Sequence, residues 1–314
     1  MDVLSDILNA LRFESCLYFT TDFRPPWGLS VPAYRNVARF HVVMSGECWI
    51  RVGSDGAPQQ LHTGDVILIP HGAPHTMSDV PQRPVVDVSD VLRDRGLDAQ
   101  GCLVYGGLDE EGATRLVCGH FEFDEVEHPL LNALPSQIFV RNEGARPQSR
   151  LDPILRLIAE EAQNSQSGGD FVLRRLTEVL FVQTVRHWSG ESHSLEHGLL
   201  AAIADRHIGR SLSAIHGRAD ERWTVDTLAR EAGLSRTVFA ERFRDLVGQS
   251  PLHYVTSWRM QRARLLLKES DFSIDRIAYE VGYQSPAAFA RVFRRTTGQT
   301  PGSVRRAAHQ PELQ

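Results

Sequence analysis

One pattern is written twice near the end of this chain, and it restricts the fold more than any other feature. WTVDTLAREAGLSRTVFAERFRDLVGQSP, starting at Trp223, is echoed by FSIDRIAYEVGYQSPAAFARVFRRTTGQTP, starting at Phe272, at an offset of about 50 residues. Trp223 answers to Phe272, Leu228 to Ile277 and Gly233 to Gly282; after one inserted residue Phe239 answers to Phe289 and Phe243 to Phe293. Each copy reads as a helix, a glycine turn and a second helix. Thr224 and Ser273 stand where a hydroxyl caps the first helix, with Asp226 and Asp275 in its positive first turn. Gly233 and Gly282 fall where a short turn needs a positive φ, and Ser235 and Ser285 are placed to cap the second helix. The phenylalanine pairs at i, i+4 turn one side of that helix inward. Its other side is free.

That free side holds Arg236, Thr237, Ala240, Glu241 and Arg244 in the first copy, and Ala287, Ala288, Arg291, Arg294 and Arg295 in the second. A helix-turn-helix presents such a face to base edges in the major groove of double-stranded DNA. Between the copies, LHYVTSWRMQRARLLLKE from Leu252 reads as one helix of about 25 Å, a rod able to hold two reading helices near the roughly 34 Å repeat of the groove. Charge agrees with this once it is divided. The chain has a net charge of −5, but from Asp205 onward 18 Arg and Lys face 12 Asp and Glu, leaving 16 against 27 upstream. A phosphate-binding footprint is local, so the acidic part is not the DNA reader.

With A-x-x-x-G-x-S and F-x-x-x-F-R in the first copy, R-M-x-x-A-R-x-L-L in the linker and I-A-x-x-V-G-Y-x-S with F-x-R-x-F-R-R-x-x-G-x-T-P in the second, the C-terminal part resembles the DNA-binding domain of AraC/XylS-family transcription regulators. The resemblance implies base contacts at Thr237, Ala240, Glu241, Ala287, Ala288 and Arg291. Three of these are alanines, which offer a base only apolar contact. Direct readout is therefore assigned to Arg236 and Arg291, and phosphate contact to Arg244 and Arg294. RNA polymerase is the further partner that the resemblance implies for such a regulator, most simply an activator.

The N-terminal part reads as strands. VARFHVVMSGECWIRVG from Val37 gives two β-rich runs around Ser45-Gly46, and short strands with frequent Gly and Pro argue for a barrel or sandwich from about residue 15 to 123. GDVILIPHGAPHTMSD from Gly64 resembles the second cupin motif, matched at Gly64, Pro70, Gly72 and His75. The first motif is thinner: His41 and Glu47 fit it, and Val43 occupies a histidine position. Cupins often hold a divalent metal, for which His41, Glu47, His75 and His120 are the candidate ligands here. Other members of the regulator family use the barrel as a small-molecule pocket without metal, and Trp27, His41, Trp49 and His75 are then its candidate lining. Each of these can equally be ordinary core. Of the four cysteines, Cys16 and Cys118 lie in places that resemble those of oxidant-sensing relatives.

After the barrel, Pro129 to Pro135 and Asn142 to Gln148 read as turn-rich linker. LDPILRLIAEEAQ from Leu151 and FVLRRLTEVLFVQTVRHW from Phe171 are amphipathic helices, joined by a Ser/Gly-rich loop from Asn164 to Gly169 and followed by a further linker from Ser189 to Gly198. They can seal the barrel or form a dimer interface, and the resemblance favours a homodimer. The expected architecture is thus α+β and multidomain: a cupin-like β-barrel over 1–128, helical dimerisation segments over 129–198 and an all-α tandem helix-turn-helix domain over 199–314. No apolar run approaches the roughly 18 residues needed to cross a membrane, and the first residues lack an export signal, so the expected location is the cytoplasm. No paired carboxylates or Ser/His/Asp set can be placed together, so an enzyme is not expected; a metal-sensing regulator or a cupin metalloenzyme fused to a DNA-binding domain are the alternatives.

Overall fold

A computed structural model describes residues 2–11, 13–98, 101–123, 129–142, 151–163, 167–191 and 198–309. The chain forms two compact units, Arg12–His193 and a discontinuous unit made of Met1–Leu11 with Ser194–Gln314.

The chain enters the discontinuous unit with α1 (Val3–Leu11). The strand-rich unit follows with β1 (Phe13–Arg24), β2 (Gly28–Val31), β3 (Val37–Ser45), β4 (Glu47–Val52), β5 (Gln59–His62), β6 (Val66–Ile69), β7 (His75–Ser78) and β8 (Val86–Asp87). Then come α2 (Val88–Arg95), β9 (Cys102–Gly106), β10 (Arg115–Phe123), α3 (Pro129–Asn132), β11 (Ile138–Val140), α4 (Asp152–Gln163) and α5 (Gly169–Glu191). The strands make two facing sheets, in the orders β11-β6-β3-β10-β1-β9 and β5-β4-β7-β2-β8.

β3 shows why the sequence reads there as a continuous apolar run rather than an alternation. Its residues Val37 to Val43 are all buried, because both faces are covered. On one face Val43 joins Cys118, Cys48, Ile67 and Met77 in the core between the sheets. On the other, Phe40 stacks on Phe121 of β10 at 5.0 Å, and Phe121 meets Phe181 of α5 at 4.9 Å. The hairpin between β3 and β4 turns on Gly46, whose φ of +81° and whose closeness to the Ala113 carbonyl, 2.4 Å from where a Cβ would stand, admit only glycine.

Two expectations change here. The stretch from Pro129 to Pro135, read as linker, contains α3, and β11 then pairs with β6, so the sheet runs past residue 128. The barrel also carries a helix, α2, started by the Asp87 carboxylate accepting from the Ser89 N–H at 2.8 Å. Residues 143–148, 164–166 and 192–197 of the expected linkers lie outside the described residues. α5 covers the first sheet with Leu180, Phe181 and Val185, while Val172 and Val179 remain exposed on its opposite side.

The other unit continues with α6 (Leu199–Ala204), α7 (Ile208–Gly217), α8 (Val225–Ala232), α9 (Arg236–Val247), α10 (Pro251–Glu269), α11 (Ile274–Glu280), α12 (Pro286–Thr297) and α13 (Pro301–His309). α10 is the single helix expected, with Pro251 at its first turn, where the missing N–H costs nothing. Its C-terminal half packs Met260, Ala263 and Leu267 against Ile277, Phe289 and Phe293, and its N-terminal half sets Tyr254 against Phe243 at 5.8 Å. α1 packs on α7 and α10 through Val3, Ile7 and Leu11, one buried stripe at i, i+4, i+8. The N-terminus of the chain thus belongs with its C-terminal third.

Candidate nucleic-acid interface and sensor core

In the first helix pair the Thr224 hydroxyl accepts from the Thr227 N–H at 3.1 Å and the Thr227 hydroxyl accepts from the Thr224 N–H at 2.8 Å, a closed capping box. Ser273 caps α11 and Ser285 caps α12 in the same sense, whereas Ser235 makes no side-chain cap. Gly233 ends α8 at φ 68°, and Gly282 turns at φ +82° with Asp220 backbone 2.7 Å from where a Cβ would stand. Phe239 with Phe243 and Phe289 with Phe293 are fully buried. The face opposite them is therefore aimed outward.

On α9 that face consists of Thr237, Glu241, Arg244 and Asp245, all exposed; on α12 it consists of Ala287, Arg291, Arg294 and Arg295, also exposed. Ala240 and Ala288 are half-buried at the margins. Arg236 sits at the edge of α9, with its guanidinium 3.5 Å from the Asp226 carboxylate. Sequence reasoning missed Val238, which corresponds to Ala288 in the repeat and is 49% exposed on the first turn of α9. The repeat alignment contained that signal. An exposed valine on a reading helix can offer a thymine methyl the apolar contact that Ala288 offers more weakly. Arg242, by contrast, is held by the Asp205 carboxylate, which also accepts from the His207 and Ile208 N–H groups.

Beneath the first helix pair lies one buried polar group. His216 stacks on Trp258 at 3.8 Å, its Nε2 is 2.9 Å from the Tyr254 hydroxyl, and its Nδ1 is 3.6 Å from an Asp6 carboxylate oxygen on α1. Burial lowers its pKa to about 3, so the imidazole is neutral in the folded unit.

The strand-rich unit encloses a second polar group. Register places His41 of β3 opposite Cys118 of β10, and His75 stands at the start of β7 in the facing sheet. His41 Nδ1 is 3.0 Å from Cys118 Sγ, its Nε2 is 2.9 Å from His75 Nε2, and His75 Nδ1 is 3.1 Å from the Ala73 carbonyl. All three side chains are buried. Burial, with the neighbouring charge of His75 and Arg39, holds His41 well below the usual histidine range; burial lowers His75 to about 4 and pushes the Cys118 thiol up. The group therefore rests uncharged.

Other candidates separate. His120 Nε2 meets Glu122 at 3.0 Å, and Glu47, exposed, meets His62 at 3.3 Å, so neither joins His41 and His75. His41 also turns different nitrogens toward its two neighbours. Among the described residues no three His, Cys, Asp or Glu side chains converge on a metal position, and the proposed divalent-metal set does not fit. Trp27 is in the core, its Nε1 without a hydrogen-bond partner among the described residues, while Trp49 lines an outer cleft of about 440 Å³ with Gln60, Asp65 and Arg141. Cys16 is exposed and stands opposite His120 in register; Cys118 stands opposite Phe19.

Comparison with known proteins joins the two halves. A family model described as Cupin matches residues 2–190, and one described as Helix-turn-helix domain matches 228–307. The chain is a cupin-family transcription regulator of the AraC type. This regulator is 29% identical to the HTH-type transcriptional regulator AlkR of Acinetobacter baylyi, over 97% of this chain and 99% of that one. It is 29% identical to a putative AraC-like transcription regulator of Streptomyces lividans, over 99% of this chain and 100% of that one. The RCS-specific HTH-type transcriptional activator RclR of Escherichia coli is 25% identical over 99% of each chain. Among solved structures, the DNA-binding domain of AdpA in complex with a target DNA is 34% identical, covering 34% of the regulator and 99% of that domain with a TM-score of 0.33. The regulator binds double-stranded DNA through its helical unit, and among its described residues no helix is long and apolar enough to cross a membrane.

Proposed function

We propose that the cupin unit of this regulator senses a small molecule or an oxidant and that the helical unit answers by altering its hold on a DNA operator beside RNA polymerase. The observation that carries the sensing half is the His41, His75 and Cys118 group, a hydrogen-bonded polar chain enclosed by an apolar core. Polar groups are costly to bury, and a core that needed only packing would be better served by apolar residues. α4 and α5 join two copies of the chain, a reading supported by Leu157, Phe171, Val172 and Val179 exposed on these helices. The protein works in the cytoplasm and turns over no substrate.

On DNA, Arg236 and Arg291 read bases, Arg244 and Arg294 meet phosphate, and Glu241 discriminates by accepting from a cytosine amino group. Selecting bound duplexes from a random pool yields the operator, and gel-shift titration then tests the assignment. Arg291→Ala is expected to weaken specific binding roughly 5- to 150-fold. An unchanged affinity and an unchanged selected sequence would remove Arg291 from the reading set.

A further inference from the structure

We infer that Cys118 is a nucleophile armed by His41 and oriented through His75, and that the barrel interior takes up a small apolar α,β-unsaturated carbonyl compound as a covalent adduct. This rests on the sensing role proposed above and names its chemistry. A thiol, a base within hydrogen-bond reach and a third group fixing the base form the arrangement that activates weak nucleophiles.

The proton positions follow from one end of the chain. The Ala73 carbonyl only accepts, so His75 Nδ1 donates to it and His75 Nε2 is left with a lone pair. His41 then donates from Nε2, which leaves its Nδ1 as the acceptor for the Cys118 S–H. One tautomer satisfies every contact. His41 Nδ1 is thereby aimed at the thiol hydrogen, and because both groups rest uncharged the proton moves to His41 only as the sulfur bonds to the reagent.

The step that suits such an interior begins and ends uncharged. The Cys118 sulfur adds to the β-carbon, the electrons of the carbon–carbon π bond move to the α-carbon, and His41 carries the S–H proton there. One carbon–sulfur bond and one carbon–hydrogen bond form; one S–H bond and one π bond are lost. No oxidant or reductant enters. Trp27, Val43, Ile67 and Met77, in the same core cluster as Cys118, favour an apolar reagent over a charged one.

Cys48 supplies an internal control, because it is buried in the same cluster and among the described residues no histidine is hydrogen-bonded to it. The full-length protein is treated with methyl vinyl ketone, and each cysteine is followed over time by peptide mass spectrometry, with operator affinity measured in parallel. Cys118 is expected to alkylate at least ~100-fold faster than Cys48 in the folded protein, the smaller end of what a positioned general base contributes. His41→Phe should erase that advantage, and its melting curve shows whether it folds. Alkylation of Cys118 at the rate of Cys48, or only after denaturation, would make it an inert core thiol and overturn the inference without any variant. Fast alkylation with unchanged operator affinity supports the nucleophile and removes the sensing role on which it was placed.

Discussion

Helices α9 and α12 bury the same pair of phenylalanines, with ring centroids 5.5 Å apart in each, yet their outward faces differ in charge. α9 offers Glu241 and Asp245 beside Arg244; α12 offers Arg291, Arg294 and Arg295. Their undersides differ as well. Beneath α12 lies a cluster of apolar side chains around Phe289 and Phe293, whereas the lobe beneath α9 encloses His216 with Tyr254, Trp258 and Asp6. The same scaffold therefore serves two surfaces: the inward face is constrained by packing and repeats closely, while the outward face is free of that constraint and diverges.

The comparison breaks most visibly if the shared scaffold is not shared in energy. Phe239→Ala and Phe289→Ala should each cost ~3–5 kcal/mol by denaturant unfolding, since both rings are fully buried. A cost near zero in either copy would mean that the two cores are not equivalent.

The buried histidine should make the first lobe the acid-sensitive one. His216 has a folded pKa of about 3, below its ordinary 6.5, so the unfolded chain binds the proton first. Stability is then fully present above about pH 6.5 and is lost as pH falls toward 3. Wild-type melting temperature should drop between about pH 6.5 and pH 4, and His216→Phe should flatten that drop. The difference between the two proteins isolates this group from His41 and His75, which burial also keeps neutral. Parallel curves would place the acid sensitivity elsewhere.

The outward charges are sharpened by salt. Arg294→Ala should lower the slope of log affinity against log salt by about 1, the loss of one phosphate contact. Asp245→Arg, which gives α9 the residue of α12, should raise it by a similar amount, and Glu241→Ala should relax base preference while leaving the slope nearly unchanged. Equal effects of Glu241→Ala and Arg294→Ala on slope and preference would dissolve the division of labour. The smallest effect concerns the caps. Ser285→Ala should cost ~0.5–1 kcal/mol and Ser235→Ala almost nothing, because only Ser285 accepts from a backbone N–H, that of Ala288 at 3.4 Å.

What could be read from the chain alone was local. Spacing of three and four residues located Phe239, Phe243, Phe289 and Phe293, the glycine turns announced Gly233 and Gly282, and the division of charge marked the DNA-binding part. Val238 was legible through its counterpart Ala288 and was overlooked. The His41, His75 and Cys118 chain could not be read, since its members lie 34 and 77 positions apart and meet only when strand register aligns β3 with β10 and closes the facing sheet over them. The sequence also could not say that Glu47 and His120 stand away from this group.

Sequence by itself determined the two helix-turn-helix motifs, the strand-rich sensor and the charge each presents, because capping, periodicity and side-chain type act within a few residues. Tertiary structure alone decided that α1 packs with the DNA-binding helices and that a thiol and two imidazoles form one hydrogen-bonded chain. An amphipathic stripe does not name the surface that covers it, and a hydrogen bond between distant strands exists only once the strands have been brought together.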